Sequence, residues 1–107
     1  MKRVLQYIFS VWVIFFSSGA LSLENFVGKV TYLEPTYMPS SIRFTISGGN
    51  PTCPIGKAIT WSKSDIENNK VIYSTLMAAF MANRSIRIYI NDGDSSCRAQ
   101  YMHLLAN

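Results

Sequence analysis

The sequence predicts a mainly β domain with a single helix, in the order β-β-β-α-β-β, and three stretches carry that prediction. Ser41–Ser47 alternates strictly: Ile42, Phe44 and Ile46 share one face, and Arg43, Thr45 and Ser47 the other, as a half-buried strand requires. From Asn69 to Arg84 the apolar spacing is helical instead, with Ile72, Leu76, Ala79, Phe80 and Asn83 on one stripe and small Ser74, Thr75, Ala78 and Ala82 between them. At Ser85 the period returns to two, and Ile86, Ile88 and Ile90 alternate with Arg87 and Tyr89 before Asn91-Asp92-Gly93-Asp94 turns the chain.

The amino-terminal end has a different character. Lys2 and Arg3 precede an apolar run from Val4 to Phe16, and Ser17-Ser18-Gly19-Ala20 supplies the small residues a signal peptidase needs. Residues 1–20 read as a secretory signal, cleaved after Ala20 with Ser22 as the second choice, because the apolar run is short for a membrane span. Residues 21–107 are then one small domain, secreted or periplasmic. The formal charge of +4 falls by two, to +2, when Lys2 and Arg3 leave. A weakly basic domain without a Lys/Arg cluster gives no reason to invoke nucleic acid.

The first strand covers Phe26–Leu33, where Val30 and Tyr32 alternate against Lys29 and Thr31. Pro35 and Pro39 make Glu34–Ser40 a loop, since neither can donate to a ladder. The alternating strand at 41–47 follows, and Gly48–Thr52 is a turn by composition. Lys57–Trp61 is a short third strand, and polar Ser62–Asn68 leads into the helix, with Asn68 or Asn69 as N-cap. The fourth strand is Ser85–Asn91, and Cys97–Leu105 forms the fifth. Cys53 and Cys97 both lie in the exported part, where an oxidising route favours a disulfide. In such a small domain this crosslink has weight, because closing so long a loop stabilises by up to roughly 4 kcal/mol in the chain-entropy model. Five short strands with one helix between the third and fourth is the order of the five-stranded OB-fold barrel; an open sheet with the helix on one face is the competing architecture.

The segments Gly28-Lys29-Val30-Thr31-Tyr32, Phe44-Thr45, Ser74-Thr75-Leu76-Met77-Ala78-Ala79 and Ile86-Arg87-Ile88 resemble the Shiga-toxin B subunit in order and rough spacing. The passage from helix to strand is also similar to the B subunits of the subtilase and typhoid toxins. The resemblance to this AB5 toxin B-subunit family implies an OB-fold chain that forms a homo-pentamer around a helix-lined pore. It further implies binding of host cell-surface glycans, with any enzymatic A subunit on a separate chain. It names no particular glycan.

Trp61, Thr45, Arg43 and Tyr37 are the candidate glycan-binding residues. An aromatic face stacks on a pyranose ring, while hydroxyls and a guanidinium give directional bonds, and Arg43 and Thr45 lie on the outer face of the second strand. Trp61 has the competing role of a core or interface residue, and Arg43 and Thr45 that of a solvated face. Asn91–Ser96 is oxygen-rich but lacks EF-hand spacing and its distal Glu, so it reads as a hairpin turn, and no metal site is expected. His103 is the lone histidine, with neither a second imidazole nor a free thiol to build a site around, so no catalytic residues or cofactors are expected. Asn83-Arg84-Ser85 matches a glycosylation acceptor by chance at a tight turn. Two readings of other classes remain: a monomeric exported module that binds a protein, such as an inhibitor or envelope accessory factor, and an OB-fold that binds single-stranded nucleic acid. The last requires aromatics interleaved with basic residues, and only Arg43, Phe44, Lys57 and Trp61 are available, with Phe44 facing inward.

Overall fold

The computed structural model describes residues 22–106, so the signal read at 1–20 lies outside the described residues. Its elements are β1 (Leu23–Glu34), β2 (Ile42–Ile46), β3 (Ile59–Trp61), α1 (Ile66–Ala82), β4 (Ser85–Asn91) and β5 (Ala99–Leu104). The strands form one antiparallel sheet in the order β3-β2-β1-β4-β5. No helix among the described residues is long and apolar enough to cross a membrane.

The long β1 serves two partners. Its first half, Leu23–Lys29, pairs with β4, and its second half, Val30–Glu34, pairs with β2. The ladder shifts between Val30 and Tyr32, where Thr31 is an extra residue. Such a bulge bends a strand and reverses its side-chain alternation beyond that point. Tyr32 therefore does not share the inward face of Val30, as the unbroken alternation predicts; it turns outward and is half exposed, while Leu33 packs on the core. The bend brings β1 very close to the chain leaving β2. A Cβ on Gly48 would lie 1.7 Å from the Val27 carbonyl oxygen, which only glycine permits.

The core is built from the inward rows of the strands: Phe26 and Val30, Ile42, Phe44 and Ile46, Ile59 and Trp61, and Ile86, Ile88 and Ile90, with Leu76 and Ala79 from the helix. Helix α1 begins three residues earlier than the apolar stripe suggests. Its N-cap is Asp65, whose carboxylate accepts from the Asn68 amide at 3.0 Å, and not Asn68 or Asn69. An ionised carboxylate at that end also meets the positive end of the helix dipole. At the other end Asn83 adopts a left-handed conformation, φ 55°, and the amide of Arg84 donates to the Ala79 carbonyl.

Asn69 is buried to the last square ångström, and its side chain joins three segments. Its Oδ1 accepts from Trp61 Nε1 at 3.1 Å, and its Nδ2 donates to the carbonyls of Pro39 at 2.8 Å, Lys63 at 2.9 Å and Ser40 at 3.4 Å. Every group here is satisfied, which is what makes a buried amide tolerable.

The sheet is not closed into a barrel, as the order of elements led one to expect. The edge strand β3 meets the residue that leads into β5 at one isolated parallel bridge, Thr60–Arg98, with the Thr60 amide donating to the Cys97 carbonyl at 3.1 Å. β3 has only three residues, all of them paired with β2, and makes no ladder on its other side. The Cys53–Cys97 disulfide, with Cα atoms 5.9 Å apart, crosses the same seam. Lys63 adds a third link through its ammonium, which donates to Gln100 Oε1 at 2.6 Å.

Glu24 ties the bottom of the fold. Its carboxylate accepts from Thr52 Oγ1 at 2.7 Å, from Asn50 Nδ2 at 3.4 Å and from the Gly93 amide at 2.6 Å, joining β1 to the loop after β2 and to the β4–β5 turn. The Gly93 amide above all, then the Thr52 hydroxyl, holds this carboxyl below its ordinary 4.5.

Two outcomes follow from these links. Asn69→Ala takes the partner from the Trp61 indole and from the carbonyls of Pro39 and Lys63, leaving Ser40 with the Ser62 hydroxyl at 3.4 Å, and should lower unfolding free energy by about 3 kcal/mol in chemical denaturation. Glu24 binds a proton more weakly when folded, so its contribution is present above its unfolded value and fades as pH falls below 4.5 and through the lower folded value. Acid titration followed by circular dichroism should show this component in the wild type and lack it in Glu24→Gln.

Candidate functional site

The bulge at Thr31 assembles a polar and aromatic surface on the outside of β1, β2 and β3. The register sets Tyr32 opposite Thr45 and Glu34 opposite Arg43, and Arg43 is in turn opposite Thr60 of β3. Directly opposed residues in an antiparallel pair carry side chains on the same face, with Cβ atoms about 5 Å apart. Tyr32, Glu34, Arg43, Thr45 and Thr60 therefore form two adjoining rows.

Within the patch the Tyr32 hydroxyl donates to Glu34 Oε2 at 3.0 Å, and the hydroxyls of Thr31 and Thr45 are 2.7 Å apart. The Glu34 carboxylate raises the Tyr32 phenol above its ordinary 10.0, first by accepting its proton in a hydrogen bond, with Arg43 pulling the other way. Tyr32 is thus a neutral donor at physiological pH, and its ring is anchored at the hydroxyl end while remaining half exposed. Glu34 offers acceptor oxygens next to the exposed guanidinium of Arg43. An acceptor and a forked donor side by side, flanked by an aromatic ring and threonine hydroxyls, match the hydroxyl pairs and apolar faces of a pyranose.

The four residues expected to bind sugar fare differently. Arg43 and Thr45 lie in the patch. Tyr37 is 66% exposed on the β1–β2 connection, at the Glu34 end of the patch, within a turn closed by the Ser40 and Ser41 amides on its own carbonyl. Trp61 is a correction: it is 5% exposed and its indole is committed to Asn69, so no ring face is open to a sugar. Lys63 covers it further, with Nζ 5.9 Å from the ring centroid. Tyr32 and Glu34 replace it. Glu34 was visible in the sequence as the one acid next to the proline loop; Tyr32 was hidden because a bulge leaves no mark in the alternation.

Two other surfaces stand out. Helix α1 exposes Ile66, Val71, Met77, Phe80 and Met81, contrary to the expected place of Phe80 on the buried stripe. Beside Leu104, the residues Glu67, Lys70, Val71, Ser74, Thr75 and Ala78 line an open groove of about 440 Å³. The charges on that face, Glu67 and Lys70, pair with each other at 3.1 Å in full solvent, where such a bond contributes little. On the outer face of β4 and β5, Tyr89 meets Tyr101 edge-on at 6.4 Å and His103 at 5.1 Å, with Arg87 opposite His103. The Nε of Arg87 is buried there without a partner.

The Asn91–Ser96 turn spends its oxygens on its own backbone. Asp94 accepts from the amides of Ser96 and Arg98 and from the Ser96 hydroxyl, and the last of these does most to hold its carboxyl below 3.8. No protein-family model, curated protein or solved structure matches the chain.

The Tyr32–Glu34 bond can be read directly. In spectrophotometric titration Tyr32 should ionise above the ordinary tyrosine range, and Glu34→Gln should bring it down toward that range. A phenol raised by its folded surroundings lends stability below its unfolded value and loses it as pH rises through the folded one, so the wild type alone should show this component failing in alkali.

Proposed function

We propose that this domain is a secreted, non-enzymatic binding subunit of the AB5 toxin B type, which assembles as a homo-pentamer and recognises host cell-surface glycans. The observation that carries the reading is the outer face of β1–β2–β3, where Tyr32, Glu34, Arg43 and Thr45 present a ring, a carboxylate, a guanidinium and hydroxyls together. Ligands of OB-like folds commonly use this face, and shallow sites of mixed stacking and hydrogen bonding suit sugars better than compact apolar ligands. The exposed side chains of Met77, Phe80 and Met81, neighbours on one side of α1, support assembly, since they gain by burial against other copies. The disulfide supports an exported site of action, secreted or periplasmic. In this reading an enzymatic A subunit is a separate partner chain.

The ridge of Arg87, Tyr89, Tyr101 and His103 favours a second reading, a monomeric exported module that binds another protein. Arginine and tyrosine are the side chains that most often carry protein–protein affinity.

Light scattering on the processed protein combined with a glycan array separates the two. The first reading expects a pentamer whose sugar binding drops at least about tenfold in Arg43→Ala and Glu34→Gln, roughly 1.4 kcal/mol, with assembly unchanged. A monomer at high concentration that binds no glycan would favour the second. A pentamer that binds no glycan would leave only the assembly half of the proposal standing.

A further inference from the structure

The exposed β4–β5 turn places Asp92 directly before Gly93, which has a φ of +75° and, lacking a Cβ, puts no side chain of its own beside its amide nitrogen. In an aspartyl–glycyl pair that nitrogen can attack the side-chain carboxyl carbon of the aspartate. The new N–C bond closes a five-membered succinimide, and the amide proton leaves with a carboxyl oxygen as water. Water then adds back at one of the two ring carbonyls. Addition at the former backbone carbonyl breaks its bond to nitrogen and leaves the chain running through the side chain, as isoaspartate. One water is lost and one regained, and nothing is oxidised or reduced.

Here the nucleophile is not free. The Gly93 amide donates to Glu24 Oε2 at 2.6 Å, and Glu24 is itself braced by Thr52 and Asn50. We propose that Asp92–Gly93 is a site of isoaspartate formation and that Glu24 is a positioning residue that suppresses it by holding the Gly93 amide. An amide must lose its proton to attack, and the nitrogen anion so formed would face the Glu24 charge at hydrogen-bond distance, where like charges repel strongly. The bond also fixes the peptide plane, which must rotate to bring nitrogen onto the carboxyl carbon. The site matters because isomerisation inserts one carbon into the backbone between the anchors of the turn: the Asp92 amide on the Ser22 carbonyl and the Asp94 amide on the Asn91 carbonyl. Three residues beyond Asp94 is Cys97, whose amide donates to the Asp94 carbonyl.

The test uses the processed, disulfide-bonded protein aged at neutral pH and physiological temperature, with isoaspartate at residue 92 quantified by electron-transfer fragmentation mass spectrometry. Glu24→Ala should accumulate about fivefold more than wild type, the weight of one amide hydrogen bond. Thr52→Val removes a brace of Glu24 without touching the Gly93 bond and should stay near the wild-type level. Equal accumulation in Glu24→Ala and wild type overturns the proposal, as does an equal rise in Thr52→Val, which would point to general loosening. Should Glu24→Ala not fold, Glu24→Leu keeps the bulk of the side chain without an acceptor: a rise supports the proposal and an unchanged level overturns it.

Discussion

The buried amide of Asn69 is the constraint on which the rest of this fold depends. Trp61 can only donate from its indole, and the carbonyls of Pro39, Ser40 and Lys63 can only accept, so the orientation of the amide follows from its partners. One side chain in the second turn of α1 thereby fixes the helix to the end of β3 and to the connection between β1 and β2. Apolar contacts alone would not do this. Leu76 and Ala79 give the helix a face but little registry, because small and aliphatic side chains slide past one another at modest cost, whereas a buried amide with misplaced partners costs several kcal/mol. The β1–β2 connection held in this way separates Glu34 from Arg43, so the geometry of the outer patch is set from beneath by a residue that never reaches it.

A second constraint is the double duty of β1. A strand that pairs with β4 along one half and with β2 along the other must bend, and it does so where Gly28 and Gly48 allow two backbones to come close and Thr31 adds a residue. The bend is a requirement of packing, yet its result is functional in kind: it carries Tyr32 from the core side to the outside and places its hydroxyl on Glu34. Core and candidate site are two consequences of one distortion.

This explains what could be read from the residues and what could not. β2 and β4 were legible because both are short and strictly alternating, and the disulfide because the sequence holds two cysteines and no third. Arg43 and Thr45 followed from the parity of β2. The parity of β3 also held information, since Trp61 is two residues from Ile59 and shares its inward face, a signal that outranks the stacking potential of a lone tryptophan. The helix start was obscured because Ile66, Glu67 and Asn68 are all exposed, so its first turn has no apolar stripe to show, and only the capping carboxylate of Asp65 marks it. Tyr32 had no local signal at all. Its orientation depends on which strands flank β1, and that is settled by the whole sheet.

The seam between β3 and β5 shows how a small chain completes itself without a full ladder. β3 has three residues and β5 six, and the single bridge between these edges, Thr60–Arg98, lies just before β5 begins. Extending β3 would require ladder residues where Pro54 and Gly56 stand, and prolines are excluded from the interior of a ladder. The covalent link from Cys53 to Cys97 takes the place of the missing bonds. Closing a loop with a sequence separation of 44 residues contributes on the order of 4 kcal/mol by restricting the unfolded chain, more than two or three further backbone hydrogen bonds contribute net. Because that contribution comes from the unfolded state, it makes no demand on the shape of the seam. At the far end of β5, Leu104 and residues of α1 line an open groove.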